Sequence, residues 1–525
     1  MTTPVLIALD SGTSVVKAVA FDAGGGILAT TSRANNYAIL PGGGAEQDMR
    51  RTWEDAADVL ADLAAQVAVG FPDAEVAALG VTGQGDGTWL IDSDGEPVGD
   101  GWLWLDARAG DIVEDLKASG AARAVFPYTG TGLAACQQAP QLLWMQRHRP
   151  EALARATTAF HPKDYLYFRL TGARATSPCE GNFTFGDYRT RQYRPEVLQA
   201  LGLTGHARLL PEMVDGTLQS HGLDACAAAR TGLRPGLPVV LGYVDVLCTA
   251  LGAGLYGAGP DAGVSVIGST GMHIRLVDSV DHVAPSPAMT GYCMPFPVPG
   301  HTIQAQTNMA ATLNIDWVAD LVADAAAIAG KPDLPRAEIL SALGELALAG
   351  RPGAAIFHPF ISTAGERGPF TDAHARASLF GLDQTVRLKD LARAVFEGLG
   401  FAARDCYVAT GGAPSDIRVT GGAARSPAIR AILAACLDRP VRVSGQTEAG
   451  AAGVAMMAAV RIGLFPDMAA CAAVWVAPRL EAPLLPDPAL VDLYGRLFPI
   501  YRDAYAALPR LWRRLHAARN AAHVH

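Results

Sequence analysis

The chain begins with an aliphatic run, residues 5–9, that breaks at Asp10, Ser11, Gly12, Thr13 and Ser14 and resumes as an apolar run over residues 15–21. Two such runs around a Gly-containing turn predict a β-hairpin. The turn leaves backbone N–H groups and hydroxyls free to surround a phosphate, and Asp10 beside them would hold magnesium. An ordinary hairpin with an Asx turn at Asp10 is the plainer alternative. The pattern then recurs: an aliphatic strand over residues 264–267, a turn of Gly268, Ser269 and Thr270, and a second strand over residues 271–276. Gly12 and Gly268 stand about half of the 525-residue chain apart. That spacing predicts two domains of like design whose hairpins face each other across a cleft and grip a nucleotide's phosphates from both sides. Val266 takes the place of Asp10 in the second copy, so metal binding falls to the first half.

Half of the residues are apolar, enough to bury sizeable cores in a chain of this length. The net charge is −9 with no Lys/Arg block, so the electrostatic footprint of a nucleic-acid or anionic-membrane partner is missing and small molecules are the expected partners. The sequence leaves homo-oligomer formation open. Eight cysteines without a C-x-x-C pair fit reduced thiols in a cytoplasmic protein and speak against zinc. The opening apolar run has no basic segment before it and is broken by Asp10, so no secretory signal is expected. Residues 449–460, rich in Ala and Gly, are too few for a membrane span and predict a closely packed buried helix.

Strand-like runs at residues 239–242 and 417–421 alternate with helical stretches such as residues 391–409, the pattern of an α/β fold. The Gly-rich residues 252–260 before the second hairpin predict an inter-domain hinge. The expected division is 1–254, 255–480 and, after a Pro-rich connector, a helical tail over 481–525 with Leu490, Leu493, Tyr494, Leu497 and Tyr501 at helical spacing. Gly252, Gly254 and Gly257 match G-x-G-x-x-G, yet no amphipathic helix follows, and neither G-x-x-x-x-G-K-[ST] nor H-E-x-x-H occurs. Nucleotide binding must rest on the hairpins.

Asp245 follows a strand and precedes an apolar stretch. It reads either as a helix N-cap or as a carboxylate at the strand end where α/β clefts open, a place for a base that accepts a hydroxyl proton. Gln84, Gly85 and Asp86 lie in a Gly-rich loop ending at Trp89, whose amide and carboxylate suit a polyhydroxylated ligand. Trp104, Asp106 and Arg108 close to Trp102 offer an indole face and charges for hydroxyls, or a core Trp with an ion pair. Gly421, Gly422 and Ala423 precede a helix and would let backbone approach an adenine or ribose, or simply form a tight turn. Glu448 opens the Ala/Gly helix and would flank the same nucleotide.

Together these motifs resemble the FGGY carbohydrate kinases, within the actin- and hexokinase-like ATPase superfamily. Asp10-Ser11-Gly12-Thr13 is similar to the first phosphate motif of that family, Gly268-Ser269-Thr270 to its second, Gly421-Gly422-Ala423 to its adenosine motif and Asp245 to its catalytic base. Pro162 to Leu166 with Leu170-Thr171-Gly172, and Gly365-Glu366-Arg367-Gly368-Pro369, resemble further family segments. The resemblance implies two actin-like, ribonuclease H-like α/β domains flanking a nucleotide cleft, closing over ATP, Mg²⁺ and a small polyol or sugar. It implies Asp10 at the metal, and Ser11, Thr13, Lys17, Ser426 and Glu448 among the nucleotide contacts. Gln84, Gly85, Asp86, Trp104, Asp106, Arg108 and His273 are then the substrate-pocket candidates, with Asp245 as base. The loops at residues 42–49, 83–89 and 308–314 imply erythritol as the acceptor; xylitol, L-xylulose, D-xylulose or glycerol are the alternatives, and a non-catalytic nucleotide- or sugar-binding regulator is the alternative outside enzymes.

Overall fold

The computed structural model describes residues 3–257, 259 and 261–522. In the first half, β1 (Thr3–Ser11), β2 (Val15–Phe21) and β3 (Ile27–Ala34) form an antiparallel meander. Helix α1 (Met49–Gly70) follows, its Asp48 cap accepting from the Arg51 N–H at 3.0 Å. It buries Trp53, Ala56, Leu60, Leu63 and Val67, the i+3/i+4 stripe of an amphipathic helix. β4 (Ala74–Gly83) returns parallel to β1. An insertion carrying α2 (Pro162–Thr171) and α3 (Pro178–Phe185) leads to β5 (His221–Gly222) and β6 (Pro238–Leu241), which pairs parallel to β4. The six-stranded sheet has the order β5-β6-β4-β1-β2-β3. Helix α4 (Asp245–Gly252) leaves it.

The second half repeats the plan. β7 (Ala262–Ile267), β8 (Gly271–Val277), β9 (Tyr292–Pro295) and β10 (Thr302–Asn308) pair antiparallel in the order β9-β10-β8-β7. After α5 (Thr312–Ile328) and α6 (Leu388–Ala409), β11 (Asp416–Thr420) lies parallel to β7, and α7 (Pro427–Leu437) leads to β12 (Val441–Val443) on its far side. The duplication expected from the two turns is thus one of topology, a meander continued by parallel strands, and the fold is the two-domain α/β arrangement anticipated.

Helix α8 (Ala449–Arg461) joins the halves, and residues 449–459 are buried all round. Val454 packs where a Cβ on Gly80 of β4 or on Gly242 after β6 would come within 2.8 or 2.6 Å of it. A Cβ on Gly453 would stand 1.9 Å from the Cys248 carbonyl oxygen of α4, and one on Gly252 2.1 Å from that of Ala449. Small residues therefore bring two helix backbones into contact, and one apolar cluster runs from Leu6 and Phe21 of the first sheet through this pair to Val264 and Ile274 of the second. β1 is apolar on both faces because α1 covers one and α8 the other.

The expected inter-domain connection at residues 252–260 is closely packed where it is described. Gly252 is fixed in α4, and a Cβ on Gly257 (φ +85°) would lie 2.5 Å from that of Ala472. Ala258 and Pro260 lie outside the described residues. The tail forms α9 (Pro488–Ala506), with Tyr494, Phe498 and Tyr501 buried, and α10 (Pro509–Ala522). No helix among the described residues is long and apolar enough to cross a membrane.

Candidate active site

The hairpin turns at residues 12–14 and 268–270 cap β1 and β7 at one end of the two sheets. Between them and the loop after β4 lies a cavity of about 280 Å³, lined by Thr13, Gln84, Gly85, Asp86, Trp104 and Asp245 from the first half and by Gly268, Thr270, Tyr292, Met309 and Arg367 from the second. Residues from both halves must be in place for it to exist. Such inter-domain clefts are common ligand sites.

A ring of hydrogen bonds fixes the first turn to the loop after β4. Trp104 Nε1 donates to Thr13 Oγ1 (2.8 Å), which donates to Gln84 Oε1 (3.0 Å), whose Nε2 donates to Gln47 Oε1 (3.1 Å). Gln47 Nε2 donates to Asn35 Oδ1, and Asn35 Nδ2 closes the ring on the Gly12 carbonyl at 2.8 Å. The Thr13 hydroxyl therefore serves the loop. Ser11 Oγ is buried without a partner at the turn.

Asp86 adopts φ +56° between Gly85 and Gly87. A non-glycine residue there is uncommon, and asparagine or aspartate tolerates it best. The neighbouring glycines are sterically required: a Cβ on Gly85 would be 2.5 Å from Val244 Cγ2, and one on Gly87 2.2 Å from the Trp102 carbonyl oxygen. Asp86 Oδ2 accepts from Tyr292 Oη (3.1 Å) and Cys136 Sγ (3.4 Å), while Oδ1 is buried without a partner. A buried lone acceptor on a cavity wall is a place for a ligand donor.

Asp245 is the first residue of α4 and accepts from the Val246 N–H at 2.7 Å. Burial, then the charge of Asp10, pushes its pKa up to about 8. Asp10 sits deeper, at the end of β1. Its Oδ2 would lie 2.8 Å from a Cβ on Gly450 of α8, so only glycine lets α8 approach. Burial holds its pKa at about 6, with Lys17 opposing and Glu448 reinforcing the rise. Two carboxylates close enough for the charge of Asp10 to raise the pKa of Asp245 form a site for a cation. Hard divalent ions prefer oxygen donors, so the residues present fit magnesium, with Asp10 as the protein ligand.

The remaining expected site residues fall in three places. Lys17 Nζ donates to Glu448 Oε2 at 2.6 Å, so these two nucleotide candidates engage each other across the halves. Gly421 (φ +92°) is pressed on the second hairpin, where a Cβ would lie 2.6 Å from the Ile267 carbonyl oxygen. Gly422 faces open space, Ala423 is buried, and Ser426 Oγ caps α7 by accepting from Ile429 N at 3.4 Å. Ser269 contributes its carbonyl to the Ala311 N–H at 2.7 Å, anchoring the second turn.

Three substrate candidates do not line the cavity, which corrects their expected role. Arg108 Nη2 and Asp106 Oδ2 pair at 2.5 Å, and Arg108 Nη1 also meets Glu46 at 2.7 Å. The guanidinium lies 3.5 Å over the Trp102 ring, and Asp106 accepts from the Ala45 N–H at 2.8 Å. The charges satisfy each other and fasten the segment that presents Trp104. His273 is enclosed in the second half, between Ser265 Oγ (2.9 Å) and Asn308 Oδ1 (3.1 Å), and burial lowers its pKa to about 4.

Arg367 and Tyr292 are cavity residues that the sequence reading did not select. Arg367 lies in the Gly365 to Pro369 segment that resembles the family, whereas Tyr292 reaches Asp86 only through tertiary folding. A buried group of His161, Asp164 and Glu180 has metal-ligand spacing, but Lys163 Nζ already binds Asp164 at 2.5 Å and Glu180. An ammonium at its centre excludes a cation there.

The family model of the N-terminal domain of the FGGY family of carbohydrate kinases matches residues 5–252, and that of the C-terminal domain matches residues 263–462. The chain is 49% identical to an erythritol kinase of Brucella abortus (strain 2308) over 97% of this chain and 98% of that protein. Among solved structures, the xylulose kinase of Rhodospirillum rubrum superposes with a TM-score of 0.85 at 27% identity, over 97% of this chain and all of that one. The gluconate kinase of Lactobacillus acidophilus gives 0.87 at 22% identity over 98% of this chain and all of that one, a likeness of fold.

Proposed function

The chain belongs to the FGGY family of carbohydrate kinases, and we propose that it transfers the γ-phosphoryl group of ATP to a terminal hydroxyl of erythritol. The observation that carries this reading is the pairing, in one two-domain cavity, of the partly buried base Asp245 with the unpartnered acceptor Asp86 Oδ1. The near full-length likeness to an erythritol kinase supports the choice of polyol.

In this reading the polyol lies between Asp86 and Asp245. Asp86 Oδ1 accepts from an inner hydroxyl, and Trp104 offers its indole to the C–H face. Asp245 in its ionised form accepts the proton of the terminal hydroxyl as the hydroxyl oxygen bonds to the γ-phosphorus and the bond to ADP breaks. The turns at Gly12 and Gly268 present N–H groups to the phosphates, and Gly421 to Ala423 give backbone access for the adenosine. Magnesium held by Asp10 would supply charge neutralisation at the phosphates. Residues 1–254 carry the polyol, metal and first phosphate motif, and residues 255–480 the second phosphate motif and adenosine site. A cytoplasmic enzyme with a free small-molecule acceptor fits the eight unpaired cysteines.

The test is ADP release from purified protein across erythritol, xylitol, glycerol, D-xylulose and L-xylulose, with ATP and magnesium. Erythritol should give the highest kcat/KM. A higher value for another acceptor would move the assignment to it, and ATP binding without turnover on any of them would overturn the reading.

A further inference from the structure

The segment that delivers Arg367 to the cavity is gripped from behind by the C-terminal helices. The Glu366 N–H donates to the Asp372 carbonyl and the Asp372 N–H to that of Glu366, both at 3.0 Å, so residues 366–372 form a closed loop. Arg367 occupies its inner side and Phe370 its outer side. The inner side is held by hydrogen bonds: Asn308 Nδ2 to the Gly368 carbonyl and Thr290 Oγ1 to that of Pro369, each at 2.9 Å. The outer side is held by rings. Phe370 stacks on Trp512 of α10 (6.1 Å between centroids, 9° between planes) and on Tyr505 of α9 (5.0 Å, 18°). Phe360 stands edge-on to all three rings at 5.2–5.9 Å. Tyr505 is itself anchored, its hydroxyl donating to Asp405 Oδ2 of α6 at 2.7 Å.

We infer that α10 is a positioning element for polyol binding: Trp512, acting through Phe370, sets where Arg367 stands opposite Asp86. The inference rests on the polyol reading of the cavity. The helix lies beyond residue 462, where the family match ends. The closed loop makes the coupling short. A shift of Phe370 toward the space left by a missing indole moves a loop whose other side is the cavity wall. The phosphate turns at Gly12 and Gly268 lie outside this aromatic cluster, so nucleotide binding should respond to it less than polyol binding does.

The experiment compares full-length wild type, Trp512→Ala, Trp512→Phe and Phe370→Leu by steady-state kinetics with polyol and ATP varied in turn, and by amide hydrogen exchange over residues 365–377. Trp512→Ala and Phe370→Leu should raise the polyol KM about tenfold, through loss of two ring contacts in the first and three in the second, with KM for ATP within about twofold and faster exchange in the loop. Trp512→Phe should restore both readouts. Wild-type polyol KM in a Trp512→Ala protein whose melting temperature has fallen would overturn the inference and leave α10 a purely stabilising tail. Equal rises in both KM values would overturn it too. If wild type phosphorylates none of the polyols, the functional reading fails separately, and exchange then decides: faster exchange in Trp512→Ala upholds positioning of the loop, and unchanged exchange refutes it.

Discussion

Asp245→Asn should abolish most turnover and make the ligand-free protein more stable, and the two effects have one origin. The carboxyl lines the cavity, partly buried and beside Asp10, and its pKa rises to about 8 against 3.8 for a free aspartate. Between those values the folded state holds a proton that the unfolded chain has released, so stability falls as pH rises through the window. The contribution is intact below the unfolded value and is lost by the folded one. Each pH unit costs the folded state about 1.4 kcal/mol, which sets an upper limit of roughly 6 kcal/mol above pH 8. Asparagine keeps the shape without the charge. Its advantage in thermal melting, measured without metal or nucleotide, should be small near pH 4, grow to pH 8 and then level off, amounting to at least about 2 °C at pH 8.5. In the same protein kcat should fall by about 10²–10⁴, the usual contribution of a positioned base, while ATP still binds. Near-normal turnover would remove Asp245 from the mechanism. A stability difference that does not change with pH would show that its burial is not the source of the raised pKa.

Three further substitutions separate the roles of the other charged residues. Asp10→Ala should chiefly change the magnesium dependence of the rate, raising the concentration for half-maximal activity by roughly tenfold or more, a loss of at least about 1.4 kcal/mol of metal affinity; a magnesium titration of the initial rate checks it. Asp86→Ala should lower kcat/KM for erythritol much more than for glycerol with KM for ATP nearly constant, because losing an acceptor matters more than the about 1–3 kcal/mol available from one carbon of size. Paired steady-state profiles with the two polyols decide it. Arg108→Ala should cost about 3 kcal/mol of stability, since it strands the buried Asp106 carboxylate, and leave the polyol preference unchanged; denaturant melts beside a two-substrate assay test that.

Local pattern carried the hairpins, the α/β class and Asp245, because each depends on residues adjacent in the chain. A strand, a turn of small residues and a second strand can be read in one short window. Arg367 and Tyr292 could not be read so, since they come from the second half and meet Asp86 only after the two sheets pack. Asp106 and Arg108 were misread for a different reason. Charges beside tryptophans suit hydroxyl binding and mutual pairing equally well in sequence, and the 2.5 Å contact between them settles the choice. The glycines near the end of α4 show the same ambiguity: freedom and smallness look alike in a sequence, and here Gly252 is small for its contact with Ala449 of α8, while Gly254 and Gly257 combine positive φ with close contacts to Val476 and Ala472.

The cleft gathers several energetically unfavourable features in one place. Asp10 and Asp245 are partly buried with raised pKa values, Asp86 takes a left-handed conformation with one oxygen unpartnered, and Ser11 Oγ has no partner. Each is unfavourable in the ligand-free protein, and such strain persists only where surrounding structure over-determines it. Here the constraint comes from the hydrogen-bond ring around Thr13 and from helix backbones pressed together at Gly453 and Gly252. A polyol donor at Asp86 and a cation at Asp10 relieve separate parts of that cost. Polyol and magnesium nucleotide should therefore each stabilise the closed cleft, and because both act on elements that α4 and α8 tie together, binding of one prepares the site for the other.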